Sequence, residues 1–236
     1  MAVGNDRMIT IIGVAHVFDV HERLREEIRS RNPRVVAVEL DRARYEALKE
    51  APSSGDAPII YRVMAYVQKR IGDEYGVQPG SEMKLAVDTA REMGASVAFV
   101  DLPATYTFKR LLAAMSLKEK LYLVFGMLGG LFVGRKRIDR EMEDFQDNEE
   151  DYMAVMEKNM PSVSRVLLDE RNVFMARNIL ELEMRYGTVL AVVGDAHVRG
   201  LVEELKEREP AVVRLKEIME EKSTDEVKFS FSYDVH

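Results

Sequence analysis

Val189-Leu190-Ala191-Val192-Val193-Gly194-Asp195-Ala196-His197-Val198 is an apolar run closed by glycine and followed by a histidine-bearing turn. Val189 to Gly194 reads as a buried strand, and a helix is expected from about Arg199 to Arg208. The same context stands near the N-terminus. Met8 to Gly13 is a second apolar run, and Gly13-Val14-Ala15-His16-Val17 repeats the pattern of Gly194-Asp195-Ala196-His197-Val198. In an open α/β sheet, residues just beyond the carboxyl ends of strands line the ligand crevice. Two matched strand–turn–helix units therefore predict that His16 and His197 face one site as a pseudo-symmetric pair. The chain has 4 histidines. His21 reads as a surface residue in a first helical turn, and His236 is the last residue.

Working outward, Asp19 and Glu22 suggest a capping-box start for a helix carrying Leu24 and Ile28, which Asn32-Pro33 ends. Val35 to Leu40 reads as a strand, with Asp41 as the cap of a helix running through Leu48. The first 50 residues thus predict a βαβ unit with a parallel pair. Ala51 to Pro58 is turn-rich, Ile59 to about Ile71 reads as helix, and Gly76 to Gly80 as loop. Ser81 is the expected cap of a helix with the apolar face Met83, Ala86, Val87, Ala90 and Met93, stopped by Gly94. Val97 to Asp101 reads as strand and Thr107 to Met115 as helix. Further helices are expected over Glu149–Asn159 and Ser162–Tyr186, with apolar residues on both sides of the latter implying that it is largely buried. Val212 to Ile218 fits strand or helix, and alternation at Val227, Phe229, Phe231 and Tyr233 suggests a last strand. The expected fold is a single α/β domain over residues 1–236, a β-sheet with helices on both faces.

The 236 residues are 47% hydrophobic and 32% charged, the composition of a globular protein. A formal net charge of −7 argues against a nucleic-acid partner held by a broad basic face. With 0 cysteines there is no disulfide, iron–sulfur cluster or thiol nucleophile. No apolar run reaches the ~18 residues that span a membrane, no secretory leader is expected from Met1 to Asp6, and a soluble, cytoplasmic protein is the expectation. Within an apolar helical segment over 116–137, Leu121 to Gly134 is uncharged, with Arg135-Lys136-Arg137 after it. It reads either as a buried helical hairpin or as an exposed flap. A flap would dock a partner, a second copy in a homodimer, or a membrane surface peripherally through 121–137.

Acidic residues recur at the same edge. Glu39 ends the second strand, where a carboxylate is costly unless it meets a metal, an arginine or a strong donor. Asp101 ends the third strand, and Glu82 starts the helix after Pro79-Gly80. Glu82 could merely complement the helix dipole, and Asp101 or Asp195 could be caps. Arg171, sharing a helix edge with Asn178, reads either as a structural ion pair or as a substrate clamp. Two imidazoles with one or two carboxylates suit a first-row metal with positions open to water. No His-Glu-x-x-His helix is present: Arg25 stands where the second histidine would be.

These motifs together resemble the TraB/PrgY family, whose wider superfamily includes GumN-like and Tiki proteins and, more distantly, erythromycin-esterase-like and ChaN-like folds. The resemblance runs in order over about residues 8–203. It is carried by Gly13-Val-Ala-His16-Val, Val38-Glu39-Leu40-Asp41 with Arg44, and Pro79-Gly80-Ser81-Glu82-Met83 with Ala86. It continues through Asp101 with Thr107-Phe-Lys-Arg110, then Glu170-Arg171-Asn172 before Met175-Ala176, and Val193-Gly194-Asp195-Ala196-His197 with Gly200. It implies a metal-dependent hydrolase scaffold using manganese, cobalt or zinc, similar to Tiki metalloproteases and to proteins that shut down peptide pheromones. Carried over, His16, His197 and Glu82 become metal ligands, Glu82 and Glu39 catalytic carboxylates, and Arg171 an electrostatic clamp. Asp101, Asp195 and Asn172 are secondary candidates. Asp101 is followed by Leu102 where the family often has arginine, and the C-terminal transmembrane helices of longer members are not matched.

The resulting expectation is a metal-dependent hydrolase acting on peptides. A metal-free esterase with a histidine base, taking a small ester, and a non-enzymatic module that binds a peptide or partner protein are the alternatives.

Overall fold

A computed structural model describes residues 8–14, 21–49, 80–122 and 158–215. Five strands form one sheet: β1 (Met8–Val14), β2 (Val35–Val38), β3 (Ser96–Phe99), β4 (Thr188–Gly194) and β5 (Ala211–Arg214). Their order is β3-β2-β4-β1-β5, and every pairing is parallel. The short apolar runs read from the sequence are these strands; β1, β2 and β4 in the middle are buried on both faces, while the outer strands β3 and β5 are only partly covered. Ala211–Arg214 resolves as strand the segment that fitted either state.

β1 and β2, however, are not neighbours. β4 lies between them, with Val14 beside Gly194 and Val38 beside Val192. Hydrophobic periodicity encodes a strand's two faces but not which strand lies at its edges, so the expected direct parallel pair gives way to an insertion.

The helices α1 (His21–Arg31), α2 (Arg42–Lys49) and α3 (Ser81–Glu92) lie on one face. Leu24, Ile28, Tyr45, Met83, Ala86 and Val87 pack there against Ile12, Val14, Val36, Leu190 and Val192. On the other face, α6 (Glu170–Tyr186) and α7 (Asp195–Glu204) bring Met175, Ile179, Val198 and Leu201 onto Ile9, Ile11, Val35, Ala37 and Val189. Right-handed crossovers explain the split: β1 and β2 are followed by connections in one direction along the sheet, β4 by one in the opposite direction. β4 is thereby flanked on both sides by strands whose next helices cover the opposite face. That is the switch point where open α/β sheets form a crevice.

Several helix boundaries differ from expectation. Asp41 does cap α2, its Oδ1 accepting the amides of Ala43 and Arg44 at 2.9 and 3.0 Å. Ser81 is not the cap of α3. The cap position is Gly80 at φ 87°, and the Ser81 hydroxyl turns to other partners. The helix after β4 begins at Asp195 rather than near Arg199, so His197 stands in its first turn. α6 is less buried than its two apolar stripes implied: Met175 and Ile179 pack on the sheet, but Val173 and Met184 are 42% and 56% exposed.

Residues 104–171 form a second unit, the sheet and its helices the first, with the boundary in the first turn of α6. The second unit holds α4 (Ala104–Ala114), a helical stretch over 117–122, α5 (Pro161–Ser164) and a π-helical segment, Arg165–Asp169. No residue pattern announces that π segment within the helix expected over Ser162–Tyr186. Ser116 and Glu119 form a reciprocal capping box: the Glu119 carboxylate accepts the Ser116 amide at 2.7 Å, and the Ser116 hydroxyl accepts the Glu119 amide at 3.3 Å. The same carboxylate accepts the Ser162 amide at 2.8 Å, at the start of α5. These bonds, the Ser116 amide foremost, hold its pKa down at about 2.

His16, the Asp19 cap, the helix over 59–71, the apolar segment beyond Tyr122, most of 149–159 and the expected strand at Val227–Tyr233 lie outside the described residues. Among the described residues no helix is long and apolar enough to cross a membrane.

Candidate functional site at the carboxyl edge of the sheet

Glu39 is the first residue beyond β2. Its amide extends the ladder by one bond to the Val192 carbonyl, at 3.1 Å, which sets its side chain beside the end of β4. There Oε2 accepts the Gly194 amide at 2.7 Å, and Oε1 lies 3.2 Å from His197 Nε2. His197 is only 4% exposed, and its other ring nitrogen, Nδ1, lies 2.7 Å from Asn172 Oδ1. Burying a carboxylate at a strand end is tolerable because both oxygens are engaged. The structure thus brings together Glu39, His197 and Asn172 from β2, α7 and α6.

Other acidic candidates are held elsewhere in the first unit. Asp195 receives Arg214 in a two-pronged pair, Nε to Oδ1 at 2.8 Å and Nη2 to Oδ2 at 2.5 Å, tying the start of α7 to the edge strand β5. Asp101 is buried and pairs with the Arg44 guanidinium, which also reaches Asp41 Oδ2 at 2.7 Å. A positive charge therefore does meet Asp101, supplied by Arg44 rather than by the following residue.

Glu82 is 1% exposed in the first turn of α3, where the Ser81 hydroxyl donates to its Oε2 at 3.4 Å. The other side of that hydroxyl faces His21 Nε2 at 3.3 Å. His21 is therefore not a plain surface residue but half-buried and bonded across to α3. With Gly80, Ser81 and Lys84 it lines a groove of about 430 Å³.

Arg171 falls in the second unit, half-buried, its Nη1 donating to the Leu167 carbonyl at 3.1 Å. Asn178, which shares its helix edge, instead binds the Val100 carbonyl at 3.0 Å. Among the described residues no three histidine, aspartate or glutamate side chains converge as a metal-binding group. His16, the partner of His197 in the sequence repeat, lies outside them.

Three relations in this region were not read from the sequence: the Arg214–Asp195 pair, the Arg44 bridge and the seat of Asn172 against Gly200. Their partners are distant in the chain, and no local pattern announces them. The capping box at Ser116-x-x-Glu119 did carry a signature and was missed.

A model described as the TraB/PrgY/gumN family matches residues 2–214. The chain belongs to the TraB/PrgY/gumN family. This TraB-family chain is 34% identical over 218 residues to an uncharacterized protein of Methanocaldococcus jannaschii, covering 87% of this chain and 55% of that protein. It is 27% identical over 231 residues to a TraB domain-containing protein of Bos taurus, and 26% identical to the one of Homo sapiens, each covering 82% of this chain and 61% of the relative. The chain thus spans a little over half the length of these TraB relatives. Among solved structures, ChaN of Campylobacter jejuni, described with cofacial heme binding, overlaps 89% of this chain and 81% of its own at 11% identity and a TM-score of 0.40.

Proposed function

We propose that the TraB-family crevice at the end of β4 is a hydrolytic centre that uses a divalent metal and acts on peptides. The observation that carries this reading is the approach of His197 Nε2 to Glu39 Oε1 at 3.2 Å. Nitrogen and oxygen donors about 2.0–2.2 Å from one ion lie roughly 3.0–3.4 Å from each other when adjacent, so this pair fits a shared ion. Glu39 and His197 would hold it, with His16 as the third donor expected from the repeat. Manganese, cobalt or zinc would suit such a nitrogen and oxygen set.

When bound, the metal would lower the pKa of a water and polarise a carbonyl. The chain's own residues do the rest. The Gly194 amide holds Glu39 Oε2, which turns Oε1 toward His197. Glu82, buried at the start of α3 and in reach of the Ser81 hydroxyl, is the remaining carboxylate for moving the proton of an attacking water. Burial of His197 excludes bulk water from one side of the pair.

The test is metal content and peptide hydrolysis by the full chain, wild type beside His197→Ala, His16→Ala and Glu82→Gln. About one metal per chain, lost in both histidine variants, with hydrolysis lost in all three, is expected. A wild type that takes up no manganese, cobalt or zinc overturns the reading, and activity that survives chelation would favour a histidine-base esterase.

A further inference from the structure

Asn172 and Gly200 stand in a steric relation that neither residue explains alone. Gly200 lies in the middle of α7, where glycine costs roughly 0.5–1 kcal/mol relative to alanine. A Cβ placed there would come within 2.0 Å of Asn172 Nδ2 and 2.8 Å of Asn172 Cγ. The carboxamide therefore rests on bare backbone, in a space that any side chain at 200 would fill.

In that seat the amide lies with its Nδ2 toward the Gly200 backbone and its oxygen toward the histidine. With Nδ2 turned to Gly200, Oδ1 points to His197 Nδ1 at 2.7 Å, and Asn172 is itself buried. An amide oxygen only accepts, so the short contact requires the ring hydrogen on Nδ1. Nε2 is then the bare nitrogen, and it faces Glu39 Oε1. A lone pair directed at a carboxylate oxygen is repulsive unless a cation lies between them, whereas the other tautomer would satisfy Glu39 directly and leave two acceptors opposed at Asn172.

We propose that Asn172, seated on the backbone of Gly200, is the positioning residue that holds His197 in its Nδ1–H form and keeps Nε2 bare toward Glu39. The relation of a ligand histidine to a carbonyl behind it is general in metal centres, where such a partner sets both tautomer and ring orientation. Here the partner is supported by a glycine one turn beyond the histidine, so Gly200 belongs to the site without touching the imidazole. The proposal builds on the reading of His197 and Glu39 as a cation-holding pair, but its readout is the ring itself.

The experiment is long-range proton–nitrogen correlation NMR on the full chain labelled at histidine nitrogen and loaded with zinc, above the pH range in which imidazole is charged. His197 is assigned by its loss in His197→Gln. The wild type is expected to show a protonated Nδ1 and a bare Nε2. Asn172→Leu, which keeps the bulk but removes the acceptor, should move the hydrogen to Nε2 or mix the two forms. Asn172→Asp, which keeps an acceptor, should restore the wild-type pattern. Gly200→Ala should reproduce Asn172→Leu while leaving the ring of His21 unchanged.

A wild-type ring carrying hydrogen on Nε2 overturns the proposal even if no variant folds, as does a ring unaltered in both Asn172→Leu and Gly200→Ala. The Nδ1–H form in a protein that takes up zinc but hydrolyses no peptide would uphold the inference and sink only the hydrolase reading, whereas a chain that takes up no zinc overturns both. Where metal is taken up, affinity in Asn172→Leu should fall about 10–100-fold.

Discussion

Glu39 meets His197 at 3.2 Å because β4 is inserted beside β2, so that the residue after one strand reaches the first helical turn after the other. One carboxylate oxygen is consumed by the Gly194 amide at 2.7 Å, which leaves the second aimed at the imidazole. The strand order, more than any local motif, creates the pair.

Glu39→Gln separates the two jobs of that side chain. The carboxamide oxygen can still accept the Gly194 amide, so the fold should survive, while the charge facing His197 is removed. Hydrolysis should drop by about 10²–10⁴-fold, the range for loss of a catalytic acid or base group. Initial rates and metal content, with circular dichroism as the fold control, check this; unchanged metal uptake would remove Glu39 from the ligand set.

Gly13→Ala should destabilise the sheet without touching the crevice chemistry directly. Its Cβ would sit 2.7 Å from Val198 Cγ2 and 2.8 Å from Asp195 Oδ1. Asp195 is not free to swing away, since Arg214 grips the same oxygen at 2.8 Å. An overpacking cost of about 1–3 kcal/mol is expected, read as a lower urea midpoint with an unchanged slope.

Arg214→Met removes both prongs from a nearly buried aspartate and should cost about 1–3 kcal/mol. Arg214→Lys should recover only part of it, because an ammonium cannot reproduce the planar two-point contact. Thermal unfolding of the three proteins side by side decides; full recovery by lysine would mean that charge alone matters.

Glu119 makes a pH-dependent contribution to the second unit. Its folded pKa, about 2, lies below the ordinary carboxyl value of 4.5 because the amide and hydroxyl of Ser116 and those of Ser162 donate to the ionised form. The stabilisation is therefore complete above about pH 4.5 and is lost as the pH falls toward about 2. Glu119→Ala should lower stability by about 1–3 kcal/mol at neutral pH. The gap between variant and wild type should close in acid, as urea unfolding at a series of pH values would show.

The sheet was legible in the sequence wherever a strand is short, apolar and closed by a turn, as at Met8–Val14, Val35–Val38 and Thr188–Gly194. Gly194-Asp195-Ala196-His197 follows the carboxyl end of β4, and Glu39 stood out as a charge in an apolar run. Adjacency was not legible, because a strand buried on both faces carries no label for its neighbours. Nor could the sequence reveal that Asn172 needs Gly200, since the reason is an empty volume rather than a residue type. Exposure along α6 was misjudged from Val173 and Met184, whose apolar character is no guarantee of burial.

The place of β4 also bears on how the chain acquires its form during synthesis. β1 and β2 emerge early, yet each finds its shared neighbour only when Thr188–Gly194 has left the ribosome. A nascent chain halted after Glu92 would hold β1 and β2 without β3, β4 or β5, their neighbours among the described residues. The N-terminal half must therefore wait, with its apolar strands exposed to chaperones or to misassociation, until the late strand closes the sheet.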